Sequence, residues 1–220
     1  MLFSYPLSTL ALAILFILLL ALCNTSYETQ PSREKNYAFI LYLFLFGINI
    51  GIIYPQYKTY RAYDRWAQAK KYYDMKVYVT AMEQYQALYA TLKIHPDFLF
   101  EYGDALSKSG KFEQGNQILT EAAQGMSDPM IYNLIGKNYQ AQKNFEEAER
   151  YFYKAHYLVP NRLYSLYLLA NLYDEMELPN KALAIAREII DADTKINSTA
   201  TKEIKFKMKQ LAENIQRSSF

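Results

Sequence analysis

The 220-residue chain holds a single cysteine, Cys23, and two histidines, His95 and His156. One thiol excludes an internal disulfide and a thiolate metal cluster. Two imidazoles far apart in sequence fall short of the several convergent ligands that a metal centre takes. Excess charge of one sign is missing too: 24 Lys and Arg against 22 Asp and Glu leave a net +2, which gives no concentrated basic face for nucleic acid. There is no glycine-rich phosphate loop, no nucleophile elbow and no histidine and carboxylate cluster, so neither a catalytic residue nor a cofactor is expected. The acidic run Glu146, Glu147 and Glu149 reads as a solvated helix face.

Charge is also scarce in one place. From Met1 to Tyr57 the charged side chains are Glu28, Arg33, Glu34 and Lys35 alone. Two uncharged runs, at about 7–23 and 37–54, have the length that crosses a hydrocarbon core. The polar segment between them contains Pro31, so residues 1–57 are expected to form a two-span transmembrane helical hairpin. A cleaved signal peptide competes for the first run, but no Lys or Arg precedes it. LALC at Leu20–Cys23 looks like a lipoprotein cleavage box, with Leu22 where a small residue belongs. Lys58, Arg61, Arg65, Lys70, Lys71 and Lys76 follow the second run, and the positive-inside rule then places the remaining chain in the cytoplasm of an inner-membrane protein. Gly47 and Gly51 are spaced for close approach of another helix, with Asn49 between them as a hydrogen-bonding group; two glycines in an apolar helix also coincide by chance.

Beyond Tyr57 the sequence repeats itself. Steps of 33 or 34 residues connect Ala69, Gly103, Gly136 and Ala170, and the same steps connect Ala81, Gly115, Ala148 and Ala182. Tyr78, Phe112 and Phe145 fall in register, as do Tyr72, Leu106, Tyr139 and Tyr173. Small residues let two helix axes approach, while aromatics fill the space to the next pair. Four helix pairs are predicted over 62–95, 96–128, 129–162 and 163–196. The stripe Ile204, Met208, Leu211 and Ile215 predicts a capping helix within 197–220.

This pattern resembles the tetratricopeptide repeat, best in SDPMIYNLIGKNYQAQKNFEEAERYFYKAHYLVP at 127–160. The resemblance implies an all-α solenoid that binds protein segments along the inner face of the first helices. By register that face carries Tyr63, Trp66, Lys70 and Tyr73 in the first unit, then Phe100 and Asp104, then Asn133, Lys137 and Gln140, then Tyr164, Tyr167, Asn171 and Asp174. Chaperone-binding members grip a terminal carboxylate with a lysine, asparagine and arginine set. Trp66, Lys70, Glu101, Met130 and Leu134 stand at the corresponding places, so that clamp is absent. Most of the 22 tyrosines fall at packing positions and read as core.

FLFEYGDALSKSG, SDPMIYNLIGKNYQ and LVPNRLYSLYLLANLYDE also resemble the repeat tail of O-antigen ligase or polymerase-like proteins of Bacteroides-type bacteria. That resemblance implies envelope polysaccharide assembly, with other transmembrane helices as partners. Two functions follow: a membrane-anchored, non-catalytic scaffold that recruits a protein, or the C-terminal fragment or split half of a glycan ligase.

Overall fold

The computed structural model describes Ile14, residues 35–193 and residues 198–218. Nine helices lie in this described part: α1 Lys35–Asp74, α2 Tyr78–Leu92, α3 Pro96–Lys108, α4 Phe112–Gly125, α5 Pro129–Ala141, α6 Phe145–Leu158, α7 Leu163–Glu175, α8 Pro179–Asp191 and α9 Thr199–Ser218. The chain divides into two compact units, 1–64 and 65–220.

In the first unit the expected membrane anchor is overturned. Among the described residues no helix is long and apolar enough to cross a membrane. The run at 37–54 is no separate span. It is the start of the 40-residue α1, which continues through Pro55 into the charged sequence from Lys58 onward. The run at 7–23 lies outside the described residues apart from Ile14. With the hairpin go the inner-membrane localisation, the orientation inferred from it, and the lipid and transmembrane-helix partners. A Cβ added at Gly47 or Gly51 would meet nothing within 4 Å among the described residues. The side chain of Asn49 is outside the description.

The second unit is an α-solenoid whose period is visible in the backbone. Each helix pair closes through a tight turn with one residue at positive φ: Lys76, Gly110, Lys143 and Glu177. Each turn also carries the same long hydrogen bond, from the amides of Val77, Lys111, Asn144 and Leu178 to the carbonyls of Tyr72, Leu106, Tyr139 and Tyr173, all at 2.9 Å. These are helix C-terminal caps of the Schellman type, which satisfy carbonyls left over by the first helix. Proline opens α3, α5 and α8, where its missing amide hydrogen is not needed. Asp128 caps α5 by accepting from the Met130 amide at 2.9 Å.

From α2 to α9 successive helices pack in order, and α5 also meets α3 and α7 directly. The small residues are where helices come closest. A Cβ on Gly103 would lie 2.7 Å from Leu119 Cγ, and one on Gly136 would lie 2.5 Å from Phe152 Cε1. Ala69, Ala81, Ala148, Ala170 and Ala182 are all fully buried. Beyond the fourth pair, α9 buries Met208 among Leu168, Leu169, Ala186 and Ile189, and Ile215 against Tyr173 and Ala182.

Candidate partner-binding face

The first helices of the pairs, α3, α5 and α7 together with the end of α1, put the register-matched side chains on one face. Position on that face and availability to a partner turn out to differ, because many of the side chains are held by the neighbouring repeat.

At the seam between the first two repeats, Trp66 stands edge-on to Phe98 at 5.5 Å, and its indole nitrogen donates to Glu101 Oε2 at 2.8 Å. Lys70 forms an ion pair with Glu101 Oε1, and the Tyr85 hydroxyl donates to Oε2 at 3.1 Å. Glu101 thus gathers three donors from the preceding repeat. The hydrogen bond to Glu101 raises the Lys70 pKa against the smaller opposing effect of burial.

One turn further along, Asp104 is buried. It accepts from the Tyr73 hydroxyl and pairs with Lys108 at 2.8 Å. Lys108 also donates to the Tyr73 oxygen at 2.9 Å and lies over the Tyr73 and Tyr78 rings at 4.7 and 4.9 Å. Burial, and then the bond to Asp104, push the Tyr73 phenol up to about 12. Burial pulls Lys108 down, but its bonds to Asp104 and Tyr73 outweigh this and raise it.

In the middle of the face, Asn133 is 2% exposed, with Oδ1 buried and unpartnered among the described residues. Its register puts it on the inner face, but the neighbouring helices occlude it. Lys137, one turn on, is exposed. Gln140 donates to Glu175 Oε2 at 2.6 Å, and Lys143 pairs with the other oxygen of Glu175. These two bonds hold the Glu175 carboxyl below its usual range.

In the fourth repeat, Tyr164 and Tyr167 stack at 6.2 Å, and Lys207 of α9 lies 5.9 Å over the Tyr167 ring. The capping helix therefore reaches the end of the face. Phe100, Tyr164 and Asn171 are half-buried, Asp174 is exposed, and Tyr63, in the first unit, is 38% exposed.

Most of the predicted residues sort into two sets, and the buried Asn133 belongs to neither. Trp66, Lys70, Asp104 and Gln140 brace one repeat against the next. Phe100, Lys137, Tyr164, Asn171 and Asp174 present surface. Sequence reasoning passed over the bracing partners Glu101, Lys108 and Glu175, and with them the chain Ser107, Asn138, Asn116, in which Asn138 Nδ2 donates to both neighbours at 2.7 Å. A signal for them existed. Most of the inter-repeat pairs are separated by 31 to 35 residues, close to the repeat period.

Comparisons with known proteins agree with this geometry. A tetratricopeptide repeat family model matches residues 127–195, and a model described as YpiA-like, C-terminal tetratricopeptide repeats matches 63–124. Among solved structures, a tetratricopeptide repeat protein from Parabacteroides merdae is 18% identical, with a TM-score of 0.53 over 70% of this chain and 63% of that one. MamA, from residue 41 onward, of Desulfovibrio magneticus is 14% identical, with a TM-score of 0.52 over 70% and 76%. A putative kinesin light chain with nearly identical TPR-like repeats from Podosopora anserina is 14% identical, with a TM-score of 0.54 over 73% and 91%. At these identities the likeness is one of fold. No curated protein matches the chain. The expected resemblance to O-antigen ligase tails is not shown by these comparisons.

Proposed function

This chain is a tetratricopeptide repeat protein, and from that premise we propose that it is a non-catalytic scaffold that holds a protein segment against the first helices of its repeats. The observation that carries the proposal is the division just described. Bracing bonds tie each repeat to the next, and Lys137, Asn171, Asp174, Phe100 and Tyr164 stand exposed or half-buried on the first helices so tied. A rigid, mixed aromatic and polar strip suits an extended peptide, whose backbone supplies hydrogen-bonding groups and whose side chains fill the gaps between rings. Pre-organisation of the strip reduces the entropy lost on binding.

Polysaccharide assembly rests on the resemblance of three sequence stretches, and nothing on this face adds to it. A protein-binding role is therefore the reading carried forward.

The test is the full-length triple variant Lys137→Glu, Asn171→Ala, Asp174→Ala, compared with the unmodified chain in affinity purification from the native host. We expect loss of a co-purifying protein with an unchanged thermal midpoint, because the three residues lie outside the core. Equal recovery of the same protein by both forms removes the strip as the binding site.

A further inference from the structure

Second helices α4 and α6, with the end of α5, line a cavity of about 410 Å³. None of the residues proposed above for the partner-binding strip lines it. Its size is at the small end for ligand pockets, suited to one long side chain rather than a folded element.

One side is aromatic. Tyr139 and Tyr151 stack at 5.5 Å, Tyr132 continues the column at 6.4 Å, and the stack gives the cavity a stiff wall. Cations already gather on the outside of this column: Lys154 lies 4.3 Å over Tyr132 and Arg150 5.0 Å over Tyr151. The other side is acidic. Glu113 is exposed and meets no cation among the described residues. Glu121 accepts from the Tyr89 hydroxyl at 2.6 Å through Oε2, which leaves Oε1 available. No Lys, Arg or His lines the cavity.

A further polar group sits at the base. Asn116 is 8% exposed. Its Oδ1 accepts from Asn138, whereas its Nδ2 donates to no protein atom among the described residues and the residue lines the cavity. A site with two carboxylates and one unpartnered amide donor asks for a ligand that brings positive charge and a carbonyl together.

We propose that this cavity is a second protein-binding site, which takes an arginine side chain of a partner peptide between Glu113 and Glu121 while Asn116 Nδ2 donates to a backbone carbonyl of the same peptide. The planar guanidinium presents several donors in a fixed fork, so it serves two carboxylates at once and lies flat against an aromatic wall, which a lysine ammonium does less well. The site is independent of the first-helix strip, so a partner that uses both wraps around the edge of the array.

The test uses the full chain and the capped tripeptide acetyl-Gly-Arg-Gly-amide, with acetyl-Gly-citrulline-Gly-amide as its uncharged isostere. Titration is followed through the ring resonances of Tyr139 and Tyr151. We expect saturable shifts with the arginine peptide at millimolar concentration. Binding should be about tenfold weaker with citrulline and about tenfold weaker to Glu113→Gln. Glu113 is exposed, so this variant keeps its fold, and its circular dichroism is compared with that of the parent. Lys209→Ala, at an exposed position of α9, should bind the arginine peptide as the parent does. No saturable shift up to solubility, equal binding of the two peptides, or a full-strength response from Glu113→Gln overturns the proposal. Loss of co-purification in the triple variant of the strip, with peptide binding retained, separates the two sites.

Discussion

Two seams of the array solve the same packing problem with different chemistry. Between the first and second repeats the contact is largely polar and aromatic: Glu101 collects Trp66, Lys70 and Tyr85, and Asp104 collects Tyr73 and Lys108. Between the fourth repeat and α9 it is apolar, with Met208 and Ile215 set among leucines, alanines and Ile189. There Lys205 has a structural task, since it donates to the carbonyls of Ile190 and Ala192 at 3.0 and 2.6 Å and closes the end of α8. A seam inside the array has to set the register of one repeat on the next, which directional bonds do well. A seam at its end has only to cover apolar surface, which area does well.

The comparison breaks most visibly at the apolar end. Met208→Ala should cost about 2–5 kcal/mol, the usual range for truncating a buried large side chain, measured as a lowered urea midpoint. Hydrogen exchange should show the loss concentrated in α8 and α9, because neighbouring repeats bear on each other only locally. Asp104→Ala at the polar seam should cost less, about 1–3 kcal/mol, since it strips Lys108 and Tyr73 of their shared acceptor. Fluorescence of Trp66, the only tryptophan, reports that seam directly and should change before far-ultraviolet circular dichroism does.

The third way to separate the seams is alkaline pH. The Tyr73 phenol is raised to about 12 in the folded chain, and Lys108 is raised as well. Groups whose folded pKa lies above the unfolded value stabilise fully below the unfolded value and cease to do so as pH climbs through the folded one. For Tyr73 that window runs from the ordinary phenol value near 10 up to about 12. The urea midpoint should therefore fall between pH 10 and pH 12, and fall less in Tyr73→Phe. Equal pH dependence in the two forms would show that this phenol does not govern the alkaline response.

The smallest effect belongs to the exposed pair at the polar seam. Lys70→Ala should change stability by under about 1 kcal/mol, and the difference should shrink in high salt because screening weakens pairs open to solvent.

The sequence was most legible where geometry depends on residue size. Small residues at steps of 33 or 34 marked the close approaches, as at Gly103 against Leu119 and Gly136 against Phe152. Register was a weaker guide to the face. It placed Asn133 and Asp104 on the inner face but gave no depth, and both are buried. The apolar run at 37–54 misled for a related reason. A local average of hydropathy marks where charge is absent, and it does not mark where a helix stops, which here is at Asp74 rather than before Pro55.

The turns make the same division in miniature. Positive φ recurs at Lys76, Gly110, Lys143 and Glu177, and glycine, the residue that adopts it most readily, occupies only one of the four. By itself the sequence determined the helix pairs, their period and the need for an end cap, because steric size and apolar spacing act within a few turns of helix. The tertiary structure alone decided which polar groups brace the repeats, which are left for a partner, and where the acidic cavity opens. Those outcomes depend on the distance between side chains about thirty residues apart, which only the stacking of one repeat on the next sets.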